Sequence, residues 1–190
     1  MLKWQGSKPL RILDFDLENR PLSYWFDGNT TAEVTAIAAS WLGETYVDCR
    51  LLTLEPGSAT AMLDWFLDLY NQADMVTGHY IRKHDLPILN AMCLDLGYPP
   101  LGSKLASDTQ LDLMKRKDLS ASQESLAAMF GLPEPKHHMT QQEWRKANRL
   151  LPDGMEATRE RVTKDVIQHK ALRAELITRG FLKAAKVWSP

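Results

Sequence analysis

One hexapeptide constrains this chain more than any bulk property does. In Leu13-Asp14-Phe15-Asp16-Leu17-Glu18, apolar and acidic residues alternate strictly. Alternation with period two is the mark of a β-strand, whose successive side chains point to opposite faces. Leu13, Phe15 and Leu17 therefore share one face, and Asp14, Asp16 and Glu18 share the other. Three carboxylates in a row on a buried strand are costly, because an unpaired charge loses its hydration and like charges repel. Two arrangements relieve that cost. Either the acidic face meets a divalent cation, which prefers carboxylate oxygen, or the strand emerges into solvent there and binds nothing. The strand alone does not choose between them.

The rest of the chain reads as alternating strands and helices. Residues 10–17 form the first strand, followed by a turn-like stretch with Asn19, Pro21 and Asp27-Gly28. Strand-like runs at 33–42 and 45–54 flank Gly43-Glu44, a connection suited to an antiparallel hairpin. From Ser58, a candidate cap, the period changes: Met62, Leu63, Phe66, Leu67 and Tyr70 recur at three- and four-residue steps, as in an amphipathic helix. A short strand at 75–78 precedes a helix carrying Leu89, Met92, Cys93 and Leu96, which stops at Gly97. A strand near Leu105 leads to Asp108, a candidate cap for a helix with Leu111 and Met114. Ser120 and Gln123 have capping-box spacing ahead of Leu126, Met129 and Phe130, and Gly131 ends that helix. Residues 133–140 read as a loop and 141–149 as a short helix. Asp153-Gly154 reads as a turn before a long last helix that ends near Arg179-Gly180. This order predicts a single α/β layer architecture over residues 1–190.

Two further acidic residues stand out. Asp85, in Thr77-Gly78-His79-Tyr80-Ile81-Arg82-Lys83-His84-Asp85-Leu86-Pro87, precedes an amphipathic helix and is a natural N-cap. Asp165 flanks a helical stripe of Val162, Val166, His169, Leu172 and Leu176. Arg161, one turn earlier, could pair with it on an exposed face. Each residue has a structural reading and a catalytic one.

Taken together, the segments resemble the DEDD group of DnaQ-like 3'-5' exonucleases, most of all the proofreading domain of family B DNA polymerases and small phage-type relatives. In that family the first motif is a strand ending in Asp-x-Glu, matched by Asp16 and Glu18. The second is matched at Gly78, Ile81, Asp85, Leu86 and Pro87, and the third at Asp165-Val166. The likeness spans about residues 9–180. It implies a ribonuclease H-like three-layer fold with a mixed, mainly five-stranded sheet and flanking helices. It also implies two Mg²⁺ or Mn²⁺ ions held by Asp16, Glu18, Asp85 and Asp165, clamping a scissile phosphate. One ion would activate water and the other would stabilise the departing 3' oxygen. Asp14 falls outside the family pattern, though the strand argument keeps it as a possible ligand.

The sequence departs from the pattern at three places. Tyr80 stands where relatives carry Asn, and His84 where they carry Phe. Both are candidate substrate contacts. Arg161 and Glu160 stand where the family has the Tyr or His that orients water, and Arg161 joins the candidate substrate contacts. Arginine is not a general base at neutral pH. The role passes to a metal hydroxide alone or to Tyr80, Glu160 or His169, or else activity is reduced. Alternatives to the exonuclease are a catalytically weakened nucleic-acid-binding or replisome-interaction module, and a structure-specific endonuclease or RNase.

The net charge of −1 counts mildly against a tight DNA-packaging role, and phosphate attraction must come from local basic clusters or bound metal. Candidate backbone contacts are Arg82, Lys83, Lys115, Arg116, Lys117, Lys136, Arg145 and Lys146. His137 and His138, as adjacent residues, point apart and suit a surface better than a metal. Trp41, Trp65 and Trp144 suit a core better than base stacking. Cys49 and Cys93 lack metal-ligand spacing and read as reduced core thiols. Polar residues interrupt the N-terminal segment and no apolar run could span a bilayer. The expectation is a soluble cytoplasmic protein whose partner is nucleic acid, DNA favoured over RNA, with replication or repair proteins as further candidates and no membrane.

Overall fold

The structure is a computed structural model that describes residues 9–22, 31–114, 118–132 and 138–190. Six strands form one sheet in the order β3-β2-β1-β4-β5-β6. They are β1 (Ile12–Pro21), β2 (Ala32–Trp41), β3 (Asp48–Leu51), β4 (Met75–Gly78), β5 (Lys104–Asp108) and β6 (Lys186–Trp188). β1, β2 and β3 are antiparallel neighbours, β4 and β5 continue the sheet parallel to β1, and β6 pairs antiparallel with β5. The sheet is mixed, as the alternation of hairpins and helical crossovers predicts.

The helices are α1 (Ser58–Gln72), α2 (Asp85–Asp95), α3 (Gln123–Phe130), α4 (Gln141–Ala147) and α5 (Pro152–Thr178). Leu13, Phe15 and Leu17 bury their side chains with Phe66 and Tyr70 of α1 and Leu86 and Leu89 of α2. On the opposite face, Ala36, Ala38 and Cys49 meet Val162 and Val166 of α5. The layers are therefore helix, sheet, helix, and β1 lies between two buried faces. Filling such a site with a Leu or Phe stabilises the fold by about 1.5–3 kcal/mol. The acidic face of β1 points toward α5, and that placement sets up the site.

Next to Glu18 the ladder slips. Glu18 pairs with Ala36 and Asn19 with Val34, so Thr35 is an extra residue in β2. Its hydroxyl donates to the Glu18 carbonyl at 3.1 Å. Bulges of this kind bend a strand and re-aim a side chain.

Several expectations need correction. Among the described residues the sheet has six strands, the expected mainly five-stranded mixed sheet with β6 added at its edge, beyond the segment that the family likeness spans. Three residues of β-character at a chain end give too short a pattern to read. Ser58 does not cap α1: Gly57 holds the cap position with no side-chain bond, and the Ser58 hydroxyl accepts from the Thr53 amide instead. The cap of α3 is Ser122, accepting from the Ser125 amide at 3.2 Å, two residues after the expected Ser120. Residues 109–114 form a turn and no helix, because the Asp108 carboxylate gathers several amides at once and closes the chain back on itself. Asp153 and Gly154 belong to the first turn of α5, which Pro152 opens. The Asp27-Gly28 turn lies outside the described residues. Among the described residues, no helix is long and apolar enough to cross a membrane.

Candidate metal centre

Alternation along β1 sends Asp14, Asp16 and Glu18 to the α5 side, but they meet different fates. Asp14 is fully buried, and both of its oxygens lie 2.8 Å from Nδ1 of His169. The other ring nitrogen of His169 is 3.0 Å from the Thr109 hydroxyl, which is 2.9 Å from Nδ1 of His79. This chain of side chains links β1, α5, the residue after β5 and the loop after β4. Asp14 is thus a partner of His169, a correction to its reading as a possible ligand. His169 is engaged at both nitrogens within the interior, so it does not supply the missing water-orienting group. Glu160 pairs with Lys164 on the outer side of α5, at 2.8 Å.

Asp16, Glu18 and Asp165 converge. One oxygen from each lies within 4.8 Å of the others, so the three can share one cation. Asp165 is buried, where the expected exposed pair with Arg161 would have left it outside. Arg161 reaches across to Glu18, Nε to Oε1. The helical spacing of 161 and 165 puts both side chains beside β1.

Asp85 approaches from the other side. It is the first residue of α2, while His84 holds the cap position without a side-chain cap bond, a correction to the reading of Asp85 as the cap. Its carboxyl is 2% exposed, and Oδ1 has no hydrogen-bond partner among the described residues. Burial raises its pKa above the ordinary carboxylate value, against the pull of His84 and of the backbone amides of Asp85 and Leu17. The influence of the Leu17 amide places this carboxyl against β1, between Asp16 and Glu18 in sequence. Asp85 is not one of the three that share a 4.8 Å sphere.

The loop before Asp85 is built to hold it there. Tyr80 has φ 71, a left-handed backbone that a side chain seldom adopts. Asp108 secures that turn, its oxygens accepting from the Tyr80 amide at 3.0 Å and the Arg82 amide at 3.1 Å. Arg82 pairs with the buried Asp112 at 2.6 Å, so its guanidinium holds the loop and is not a phosphate contact. Tyr80 and His84 both point outward, and His84 Nδ1 stands 3.5 Å from Asp85 Oδ2. That neighbour raises the pKa of His84, against the opposing effect of burial. A groove of about 1150 Å³ between α2 and the β1–β2 hairpin reaches His84 and Lys83.

Gly78 explains how closely this loop packs. A Cβ there would sit 2.3 Å from Cγ2 of Ile81 and 2.8 Å from the Phe15 carbonyl oxygen. Gly78→Ala is expected to destabilise the protein by about 1–3 kcal/mol through overpacking. Urea denaturation of the two proteins measures it, and an unchanged midpoint would mean that the loop gives way freely.

The remaining basic candidates divide. Lys146 is paired with Asp153, and Lys83 and Arg145 are exposed. Lys115, Arg116, Lys117, Lys136 and His137 lie outside the described residues. His138 pairs with Glu124 at the surface, 2.9 Å away. Trp41 and Trp65 pack against the main core, each under a guanidinium, Arg11 and Arg50 respectively. Trp144 lies under Arg161, with 5.3 Å from Cζ to the ring centroid. Sequence reading missed Asp112 and Thr109, because a hydrogen bond between distant segments leaves no periodic trace.

No protein-family model and no curated protein matches the sequence. A solved structure does resemble this one: the family B DNA polymerase from the hyperthermophilic archaeon Pyrobaculum calidifontis, with a TM-score of 0.66 at 17% identity. The similarity covers 90% of this chain and 25% of that one. The fold is ribonuclease H-like. This chain spans about a quarter of the polymerase's length, so the likeness bears on the architecture alone.

The residues present suit a hard divalent cation. All the converging donors are carboxylate oxygens, the ligand type that Mg²⁺ and Mn²⁺ prefer. The buried Asp85 Oδ1, which has no hydrogen-bond donor among the described residues, is a further oxygen suited to a cation.

Proposed function

We propose that the protein is a metal-dependent 3'-5' exonuclease acting on nucleic acid, DNA in preference to RNA, at the cluster of Asp16, Glu18 and Asp165. The convergence of those three carboxylates on the acidic face of β1 carries this reading. Order and spacing of the sequence motifs support it, as does the fold shared with part of a DNA polymerase. Asp16, Glu18 and Asp165 would hold Mg²⁺ or Mn²⁺, with Asp85 contributing from the start of α2. When bound, a divalent cation draws negative charge from the scissile phosphate and lowers the pKa of water.

The chain's own residues do the remaining work. Glu18 is fixed by Arg161 and by the bulge at Thr35, so it presents one oxygen in a set direction. Asp108 and the left-handed turn at Tyr80 hold the loop that leads to Asp85. The exposed Tyr80 and His84 would touch the terminal nucleotide, and the groove at His84 and Lys83 would give it room. Arg161 cannot accept a proton from water, so it contributes charge and position. Replication or repair proteins are the protein partners this role implies.

An oligonucleotide labelled at either end, incubated with Mg²⁺ or Mn²⁺, tests the assignment. Stepwise shortening from the 3' end is the expected result. Internal cuts would reassign the protein as an endonuclease. No turnover with either metal would favour the second reading, a nucleic-acid-binding module, which the engagement of Glu18 by Arg161 specifically favours.

A further inference from the structure

Arg161 occupies the place where the acidic cluster most needs positive charge. Its side chain is largely buried, its Nε pairs with Glu18 Oε1, and its guanidinium rests on the Trp144 ring. Arginine carries its charge at any working pH, and the carboxylates of Glu18, Asp165 and Asp16 lie near it. The side chain is a fixed cation held between an aromatic face and three carboxylates.

We propose that Arg161 is a resident cation of the cluster, standing in for one of the two metal ions that the sequence likeness implies, so that the site takes a single Mg²⁺- or Mn²⁺-class ion. The inference rests on the reading of the cluster as a cation site. Three observations carry it. First, the ligating oxygens of Asp16, Glu18 and Asp165 lie within 4.8 Å of one another, a spread that suits the coordination sphere of one ion. Second, Glu18 Oε1 is engaged by Arg161, so a second ion using that oxygen would have to expel the guanidinium from both Glu18 and Trp144. Third, a second divalent ion beside a buried guanidinium would meet like charge where little water screens it. Arg161 acts through Glu18 and through its charge, and is a positioning residue.

Counting bound Mn²⁺ by electron paramagnetic resonance on the full chain tests this without reference to activity. The parent is expected to bind one ion. Arg161→Gln, which removes the charge and keeps a polar side chain, is expected to bind two, or to bind the first at least tenfold more tightly. Arg161→Lys, which restores the charge, is expected to return to one ion. Melting curves in EDTA establish that each variant is folded. Two ions in the parent would overturn the proposal on that measurement alone, whether or not Arg161→Gln folds. One ion of equal affinity in parent and Arg161→Gln would also overturn it, leaving Arg161 as a structural tie. In both of those cases the metal-dependent nuclease stands. Failure of every form to bind Mn²⁺ would remove this inference and the nuclease reading together.

Discussion

Asp16→Ala should lower the rate of oligonucleotide cleavage by about 10³-fold or more, in line with losing a group that organises charge at a developing transition state. Stability should move the other way or not at all. Asp16 lies within the 4.8 Å cluster with Glu18 and Asp165, where three like charges crowd one another beside the Arg161 guanidinium. Removing one carboxylate relieves repulsion in the metal-free protein, so its melting temperature in EDTA should equal or exceed the parent's. Added Mn²⁺ should raise the parent's melting temperature through binding to the folded state and should raise the variant's much less. The opposed signs separate a ligand from a structural residue, since a structural carboxylate would reduce stability when removed. Cleavage at the parental rate would mean that β1 does not carry the chemistry.

Much of this was legible in the sequence, and the reasons differ from element to element. The strict alternation in residues 13–18 fixes which side chains of β1 face α1 and α2 and which face α5, because strand geometry allows no other division. The stripe from Val162 to Leu176 is just as plain, and all five of its residues are buried. Caps were harder to read. Ser58, Ser120 and Asp85 each stand near a helix start, but a cap depends on the local path of the backbone, and that path is set by contacts elsewhere. The four-residue helical step from Arg161 to Asp165 suggested an exposed ion pair within α5. Asp165 is buried rather than exposed, and Arg161 makes a cross-layer pair with Glu18, since packing α5 on the acidic face of β1 offers it a part-buried carboxylate. Asp14 shows the same limit. Its three-carboxylate setting pointed to metal, while its actual partner, His169, lies 155 positions further along the chain. The two residues of a buried pair so distant in sequence leave no spacing rule to find.

That pair should be among the strongest single contributors to stability. Removing one member of a buried ionic or hydrogen-bonded pair leaves the other without compensation and costs about 3–5 kcal/mol. For a chain of this size such a loss corresponds to a fall in melting temperature of roughly 10 °C or more. Asp14→Ala should be worse than His169→Ala, because Asp14 serves two neighbours, the His169 ring and the Arg173 guanidinium. Burial lowers the pKa of Arg173, the Asp14 charge works against that, and Arg173 Nε has no hydrogen-bond partner among the described residues. Without Asp14, His169 loses its hydrogen-bond partner and Arg173 its counter-charge; without His169, Asp14 still faces Arg173. The comparison is made in metal-free buffer by thermal unfolding of both single variants. Equal melting temperatures for Asp14→Ala and the parent would show that the pair contributes nothing net. Activity should also fall in His169→Ala, because His169 and Asp165 sit one turn apart on α5, and the bond to Asp14 sets the depth at which that helix meets β1. Saturating Mn²⁺ should restore part of the lost rate, as the cation draws Asp165 back toward Asp16. No such rescue is expected for Asp16→Ala, where the ligand itself is gone.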